Sequence, residues 1–275
     1  MGILIPLLII TFCCLIIWKA SDGFETSSEY LGRNLTEGVR GATINAISSS
    51  MPELFSTIFF LIYLKDTEGF SGGIGTTAGS AIFNAMIIPA VVILVVLGSG
   101  IAKSIEVSKK VILRDGLALI LAEFILILLI GGSTLYWWHG AILMLTYVVY
   151  IIYMFKSMKT NEIDEDEEEE DDEKISTIKA IFTLNLERLI INQKMINSKL
   201  AWILLVISML IIGLACLLLV IACELIGEDT YELAYFGTLY GLNMPTMFVA
   251  VILASAATSV PDTIISMRDA KNGNY

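Results

Sequence analysis

Residues 41–57 read GATINAISSSMPELFST, and they decide the fold. They sit in an apolar segment, 39–64, long enough to cross a bilayer, which takes about 20 apolar residues in a helix. Yet its middle holds Ser48, Ser49, Ser50, Pro52 and Glu53. A carboxylate near the membrane centre costs roughly 2.5–3.5 kcal/mol on insertion scales, so Glu53 reads as a functional acid facing a cavity or an ion. Pro52 deprives the carbonyl near Ser48 of its N–H partner and clashes with it, which predicts a helix kinked or broken at 48–51. Broken backbone at membrane depth survives only where protein walls a cavity around it. Freed carbonyls, hydroxyls and one carboxylate make an oxygen-rich cluster of the kind hard cations such as Na+ and Ca2+ prefer.

The cluster occurs twice. A shift of 209 positions lays Ser49-Ser50-Met51-Pro52-Glu53 over Thr258-Ser259-Val260-Pro261-Asp262, with Gly32 over Gly241 and Asn34 over Asn243. Proline-interrupted polar spans at matching places in two halves point to a transporter binding site at a repeat interface. Between the copies, the span over 75–100 opens on small residues, Gly75 to Ala81, and places Ser80 and Asn84 one helical turn apart on one face. Such a face serves as interhelical glue in most helices; beside a duplicated acid it becomes a candidate ion face.

At 56% hydrophobic residues and a mean hydropathy of +0.78, the chain is an integral membrane protein. Its net charge of −11 comes from 162–173, which carries eleven acids; the remainder balances at seventeen acidic and seventeen basic residues. The neutral body offers no basic face for nucleic acid. Cys13, Cys14, Cys216 and Cys223 lie in or beside apolar spans and read as small packing residues without a disulfide or metal role. His139, the only histidine, cannot build a metal site alone and reads as an interfacial side chain beside the aromatic belt of Tyr136, Trp137 and Trp138.

Seven spans are expected, over 4–20, 39–64, 75–100, 116–130, 135–155, 200–223 and 244–267. Residues 21–34 and 65–75 read as polar loops, with Asp22 an interfacial, solvated acid, and the loop after 223 carries Glu224, Glu228, Asp229 and Glu232. Glu123, inside the fourth span, is open to two readings, an interhelical hydrogen bonder or a functional acid. The acidic run is too like-charged to pack and lacks the Gly and spaced acids of an EF-hand, so it reads as a solvated linker; 175–199 then has helical spacing suited to an amphipathic helix on the membrane or the transporter. This divides the chain into a first half, 1–155, with motifs at 41–57 and 75–84, a linker, 156–199, and a partial second half, 200–275, with its motif at 255–266. Arg33, Arg40, Lys103, Lys109, Lys110, Arg114, Arg268 and Lys271 fall on alternate loops, so the positive-inside rule puts the N-terminus outside and the acidic linker in the cytosol. Five spans separate the motifs, and an odd number inverts the second copy.

These residues carry a resemblance. Gly41-Ala42-Thr43, Ser49-Ser50-Met51-Pro52-Glu53, Gly79-Ser80-Ala81-Ile82-Phe83-Asn84 and Ala257-Thr258-Ser259-Val260-Pro261-Asp262 resemble the alpha repeats of the calcium/cation antiporter superfamily, most closely sodium/calcium exchangers including the potassium-dependent branch. The likeness covers nearly the whole chain. It implies an all-α integral membrane protein, an inverted-repeat transporter with broken helices, of whose roughly ten transmembrane helices seven are present. It also implies that Glu53 and Asp262 are acidic ligands of Ca2+ or Na+, with Ser50, Ser259, Ser80 and Asn84 as side-chain ligands and backbone oxygens near Ala46, Ser49, Ser255 and Thr258 completing the sites. The first and sixth spans would slide against the core in alternating access. The implied cargo is Ca2+ and Na+, with K+ in the potassium-dependent branch; no cofactor and no catalytic residue is implied, and the expected setting is the plasma membrane.

Three departures qualify the likeness. Ser48-Ser49-Ser50 replaces the usual Gly-Thr-Ser; Asp262 in place of Glu, and Ala81 in place of Asn, are traits of the potassium-dependent members; and the second Gly-Ser-Asn-x-Phe-Asp motif is not reached before Tyr275, as in a C-terminally truncated member. Two neighbouring readings are a proton-coupled Ca2+ antiporter, whose paired Gly-Asn-Ala-x-Glu motifs are missing, and a non-transporting fragment or assembly partner. An intramembrane aspartyl protease using Asp262 would need a Gly-x-Gly-Asp pattern that the sequence lacks.

Overall fold

A computed structural model describes residues 2–33, 46–65, 67–105, 109–132, 134–157, 186–191, 196–234 and 236–273. Helix α1, Leu4–Gly32, runs on well past 20, where the sequence suggested a polar loop. The reason is a single buried stripe, Pro6, Ile10, Cys13, Ile17, Ala20, Phe24 and Ser27, at alternating helical spacings of three and four. Its polar end supplies its own partners: Thr26 donates to the Asp22 carbonyl at 3.0 Å, and Ser27 and Ser28 both donate to that of Phe24, at 2.8 and 2.5 Å. Asp22, expected to be solvated, pairs with Lys19 at 3.5 Å.

The first motif breaks where Pro52 requires it. A short turn, α2 (Ala46–Ser49), stops at Ser50, whose φ and ψ of −88° and 5° leave the helical region, and α3 (Met51–Leu64) restarts with Pro52 in its first turn. Residues 65–75, expected as a loop, begin α4 (Thr67–Ile82) after the left-handed Lys65. Their glycines are close-approach positions rather than turns: a Cβ on Gly72 would lie 2.6 Å from the Phe60 ring, and one on Gly79 2.3 Å from the Val251 carbonyl. After α4 the helix widens into a π-helical stretch, Phe83–Ile87, before α5 (Ile88–Gly98), whose Pro89 has no N–H to give the regular ladder.

Helices α6 (Lys109–Ile130) and α7 (Trp137–Ser157) pack on each other as a hairpin, with Glu123 exposed. His139 is buried and caps the start of α7, its Nδ1 accepting the Tyr136 N–H at 3.0 Å. Of 175–199, the described parts are α8 (Leu186–Ile191), which leans on α1 and on the 30-residue α9 (Ser198–Gly227), and 196–199, which lead into α9; the acidic run lies outside the described residues. α1 and α9 pack antiparallel and share the core, joined by Cys13, Ala20, Ala215, Cys216, Ala222 and Cys223, small side chains that let the backbones approach. A hairpin unforeseen in the acidic loop, β1 (Thr230–Leu233) and β2 (Gly237–Tyr240), pairs Tyr231 with Leu239. The second motif then follows α10 (Thr246–Val249) and a π-helical stretch, Ala250–Ala254, and lies within α11 (Ser255–Asn272).

Here one expectation is corrected. Pro261 does not break its helix; α11 passes through it, and the irregular turn comes earlier, at 250–254. Hydroxyls carry the ladder there: Ser255 donates to the Val251 carbonyl, Thr258 to that of Ser255 at 3.1 Å, and Thr263 to that of Ser259 at 3.0 Å. Among the described residues, four helices are long and apolar enough to cross a membrane and three shorter apolar ones accompany them, and they fall where the seven spans were expected.

Candidate cation site

Glu53 stands in the first turn of α3, directly after the break, and is 8% exposed. Its Oε1 accepts the Ser80 hydroxyl at 2.9 Å and faces the Ser259 hydroxyl at 3.4 Å, and the two serines lie 2.8 Å apart. Three elements thus meet at one carboxylate: α3 brings the acid, α4 brings Ser80 on its small-residue face, and α11 brings Ser259 from the second motif. Gly79 permits this, because any side chain there would collide with Val251 and Ser255 and hold α4 off α11.

Among the described residues, the other carboxylate oxygen, Oε2, is buried without a hydrogen-bond partner. A buried, unsatisfied acceptor costs about 1–3 kcal/mol, and more when charged. A cation resting there would satisfy it, so the donor chemistry fits a hard ion bound by oxygens.

Asp262 lies three residues beyond Ser259, one turn along the same helical face, and Glu53 and Glu25 are the acids whose charge reaches it. It lines a cleft of about 310 Å³ with Ser21, Glu25, Ser48, Ser49 and Ser266. The remaining expected positions sort by exposure. Thr258 and Ser255 are buried; Ser49 is exposed to the cleft; Ala46 begins α2; Ser50 and Asn84 are exposed, Asn84 on the π-helical stretch one turn after Ser80. The sequence reading missed Glu25 and Ser21, because it ended the first helix at 20. It also missed Cys216, whose thiol donates to the Pro52 carbonyl at 3.4 Å and ties α9 to the broken motif, while Ser56 donates to the same carbonyl at 2.8 Å.

The two motifs run in opposite directions. α3 starts beside the Ser48–Ser49 cleft and ends near Glu68, whereas the run of α10 and α11 starts with Thr246 bonded to Glu68 at 3.3 Å and carries Asp262 and Ser266 to the first cleft. Glu68 and Thr246 line a second cleft, of about 470 Å³, with Glu224, Glu228 and Asp229.

A sequence profile described as "Sodium/calcium exchanger protein" matches residues 5–156, more than half of the chain. The chain belongs to the sodium/calcium exchanger family. This family region runs from α1 to α7 and contains Glu53 and Ser80; Ser259 and Asp262 lie beyond it. Among relatives of this exchanger chain, sodium/potassium/calcium exchanger 3 of Homo sapiens is 34% identical over 116 residues, 42% of this chain and 17% of that protein. Sodium/potassium/calcium exchanger 4 of Mus musculus is 34% identical over 115 residues, with the same shares, and sodium/potassium/calcium exchanger 1 of Homo sapiens is 34% identical over 116 residues, 41% of this chain and 10% of that protein. The chain therefore spans a small part of the length of the relatives it matches. No solved structure matches it. Family and relatives bear out the resemblance drawn from the motifs.

Proposed function

We propose that this chain acts as a secondary antiporter exchanging Ca2+ for Na+, with the ion held between Glu53, Ser80 and Ser259 and handed on by Asp262. The observation that carries the reading is the orphaned, buried Oε2 of Glu53, set where two oppositely directed motifs meet. Two carboxylates balance Ca2+, and the remaining oxygens come from hydroxyls and from carbonyls freed around Ser48–Ser50 and Ser255–Thr258. Na+ competes for the same oxygens, because adding further charge to two acids already neutralised is costly at low dielectric. Asn84 and Ser50 reach the ion when α2 and the π-helical stretch move inward. Asp at 262, together with the names of the relatives, extends the proposal to K+ as a further cargo. The basic loops put the Ser48–Asp262 cleft on the cytosolic side and the Glu68–Glu224 cleft outside, in the plasma membrane.

The test is equilibrium binding of radiolabelled Ca2+ to the purified chain in lipid nanodiscs. Wild type binds Ca2+ and releases it to Na+; Glu53→Gln binds at least tenfold more weakly. Wild-type affinity in Glu53→Gln sinks the proposal. In vesicles, Ca2+ uptake driven by a pH gradient but not by a Na+ gradient overturns the sodium reading.

A further inference from the structure

A carbonyl in the first turn of a helix ordinarily accepts one N–H, four residues on. That of Pro52 takes two side-chain donors, the Ser56 hydroxyl at 2.8 Å and the Cys216 thiol at 3.4 Å, and both side chains are buried. This carbonyl and the Glu53 N–H belong to one planar peptide unit, so whatever holds the oxygen also fixes the direction in which Glu53 leaves the backbone. Ser56 stands on α3 itself, whereas Cys216 reaches across from α9. One turn before it, α9 has Gly213, whose added Cβ would meet the Phe55 ring at 3.9 Å, so a second small residue keeps α9 against the same stretch of α3. The thiol has no substitute nearby: Ile212, Gly213, Leu219 and Val220, three or four positions either way on α9, have no side-chain donor. The contact therefore exists in one register of α9, and a slide of one turn, about 5.4 Å, removes it.

We propose that Cys216 is a positioning residue of the ion site: with Ser56 it clamps the Pro52 carbonyl and aims Glu53 at Ser80 and Ser259, and it does so in one register of α9 only. The proposal rests on the exchange reading for Glu53 as the ligand. Engaged by two donors, the Pro52 carbonyl is not left for the cation, unlike those freed around Ser48–Ser50. α9 is the sixth of the expected spans, one of the two that the family resemblance has slide against the core, so its movement reaches Glu53 through a single peptide unit. The Glu53 charge reaches Cys216 in return, and a cation that neutralises the acid alters the surroundings of the thiol.

Alanine and serine are nearly equal in size, and only serine has a donor. In nanodiscs, Cys216→Ala weakens binding of radiolabelled Ca2+ to the full chain about three- to tenfold, the worth of one hydrogen bond, and Cys216→Ser recovers most of that loss. A role in packing alone would weaken both variants alike, since both lose the sulfur. The infrared S–H stretching band assigned to Cys216 by its loss in Cys216→Ser shifts when Ca2+ is added to the wild-type chain. Equal affinities in the Ala and Ser variants, wild-type affinity in Cys216→Ala, or a band indifferent to Ca2+ overturns the positioning role. The exchange reading fails separately, when Glu53→Gln alone binds like wild type.

Discussion

Ser80 is held from two directions at once, by the Glu53 carboxylate at 2.9 Å and by the Ser259 hydroxyl at 2.8 Å. Three side chains with mutual contacts share their energy, so their substitutions are not additive. Ser80→Ala should cost about 1–3 kcal/mol of stability through loss of a bond to a charged group, and Ser259→Ala less, because its own contact with Glu53 is the longer at 3.4 Å. The Ser80→Ala/Ser259→Ala double variant should lose less than the sum of the two, by at least about 0.5 kcal/mol. Thermal unfolding of the four proteins in nanodiscs completes the cycle, and strict additivity would mean that the serines do not meet. Glu53 and Ser259 were legible in the sequence because a carboxylate and a hydroxyl beside a proline have no business in an apolar span unless something needs them. Glu25 was not, because an acid among serines after an apolar run has the composition of a loop. Only the stripe that continues from Ala20 to Phe24 and Ser27 reveals that it stays on a packed helix.

Glycines make the same distinction between elements. In sequence, Gly69, Gly72 and Gly73 lie in the stretch read as a polar loop and Gly75 and Gly79 at the small-residue opening of the next span; in space all five belong to the two faces of α4, one pressed on Phe60 and Thr57 of α3, the other on Met247 and Val251. What the sequence could not show is which neighbour would come that close, since the contacts join residues far apart in the chain. Two substitutions test this. Gly79→Ala must push α4 from Val251 and should destabilise by about 1–3 kcal/mol, weakening Ca2+ binding along with it, because it also parts Ser80 from Ser259. Gly140→Ala, on the open face of α7 with nothing within 4 Å of its added methyl, should be neutral or stabilise by up to about 1 kcal/mol. Thermal midpoints decide between them, and equal midpoints would dismiss the close approach. The π-helical stretches were equally hidden. Pro89 marks the first in hindsight, but the second, over 250–254, has no proline within it, and the proline that was visible, Pro261, proved compatible with a continuous helix.

Among the described residues, two acidic clefts flank the buried Glu53 carboxylate. Seen along α3, Glu53 lies near the start and Leu64 at the end, about 17 Å apart at 1.5 Å per residue, so the Ser48–Asp262 cleft is adjacent to the acid and the Glu68–Glu224 cleft lies on the far side of most of a helix. The antiparallel α1 and α9 pack beside this axis, and α9 packs along α3 and bonds the broken motif through Cys216 and the Pro52 carbonyl. Large apolar side chains such as Leu94, Ile120, Leu128 and Leu145 face outward, which suits a surface met by lipid rather than water. The proposed exchange requires the two clefts to open to opposite sides of the bilayer, and the inverted courses of α3 and α11 are what such an opening would use. Thiol labelling in a Cys14→Ser background reads this directly, since Cys14 is half-buried whereas Cys13, Cys216 and Cys223 are buried and contribute little background. Ser266→Cys, in the first cleft, should react with a membrane-impermeant thiol reagent only from the side that carries the basic loops, and Met244→Cys, in the second, only from the other. Labelling of both from one side would place the clefts on a common face and remove the geometric basis for exchange, whatever the affinity of Glu53 for Ca2+.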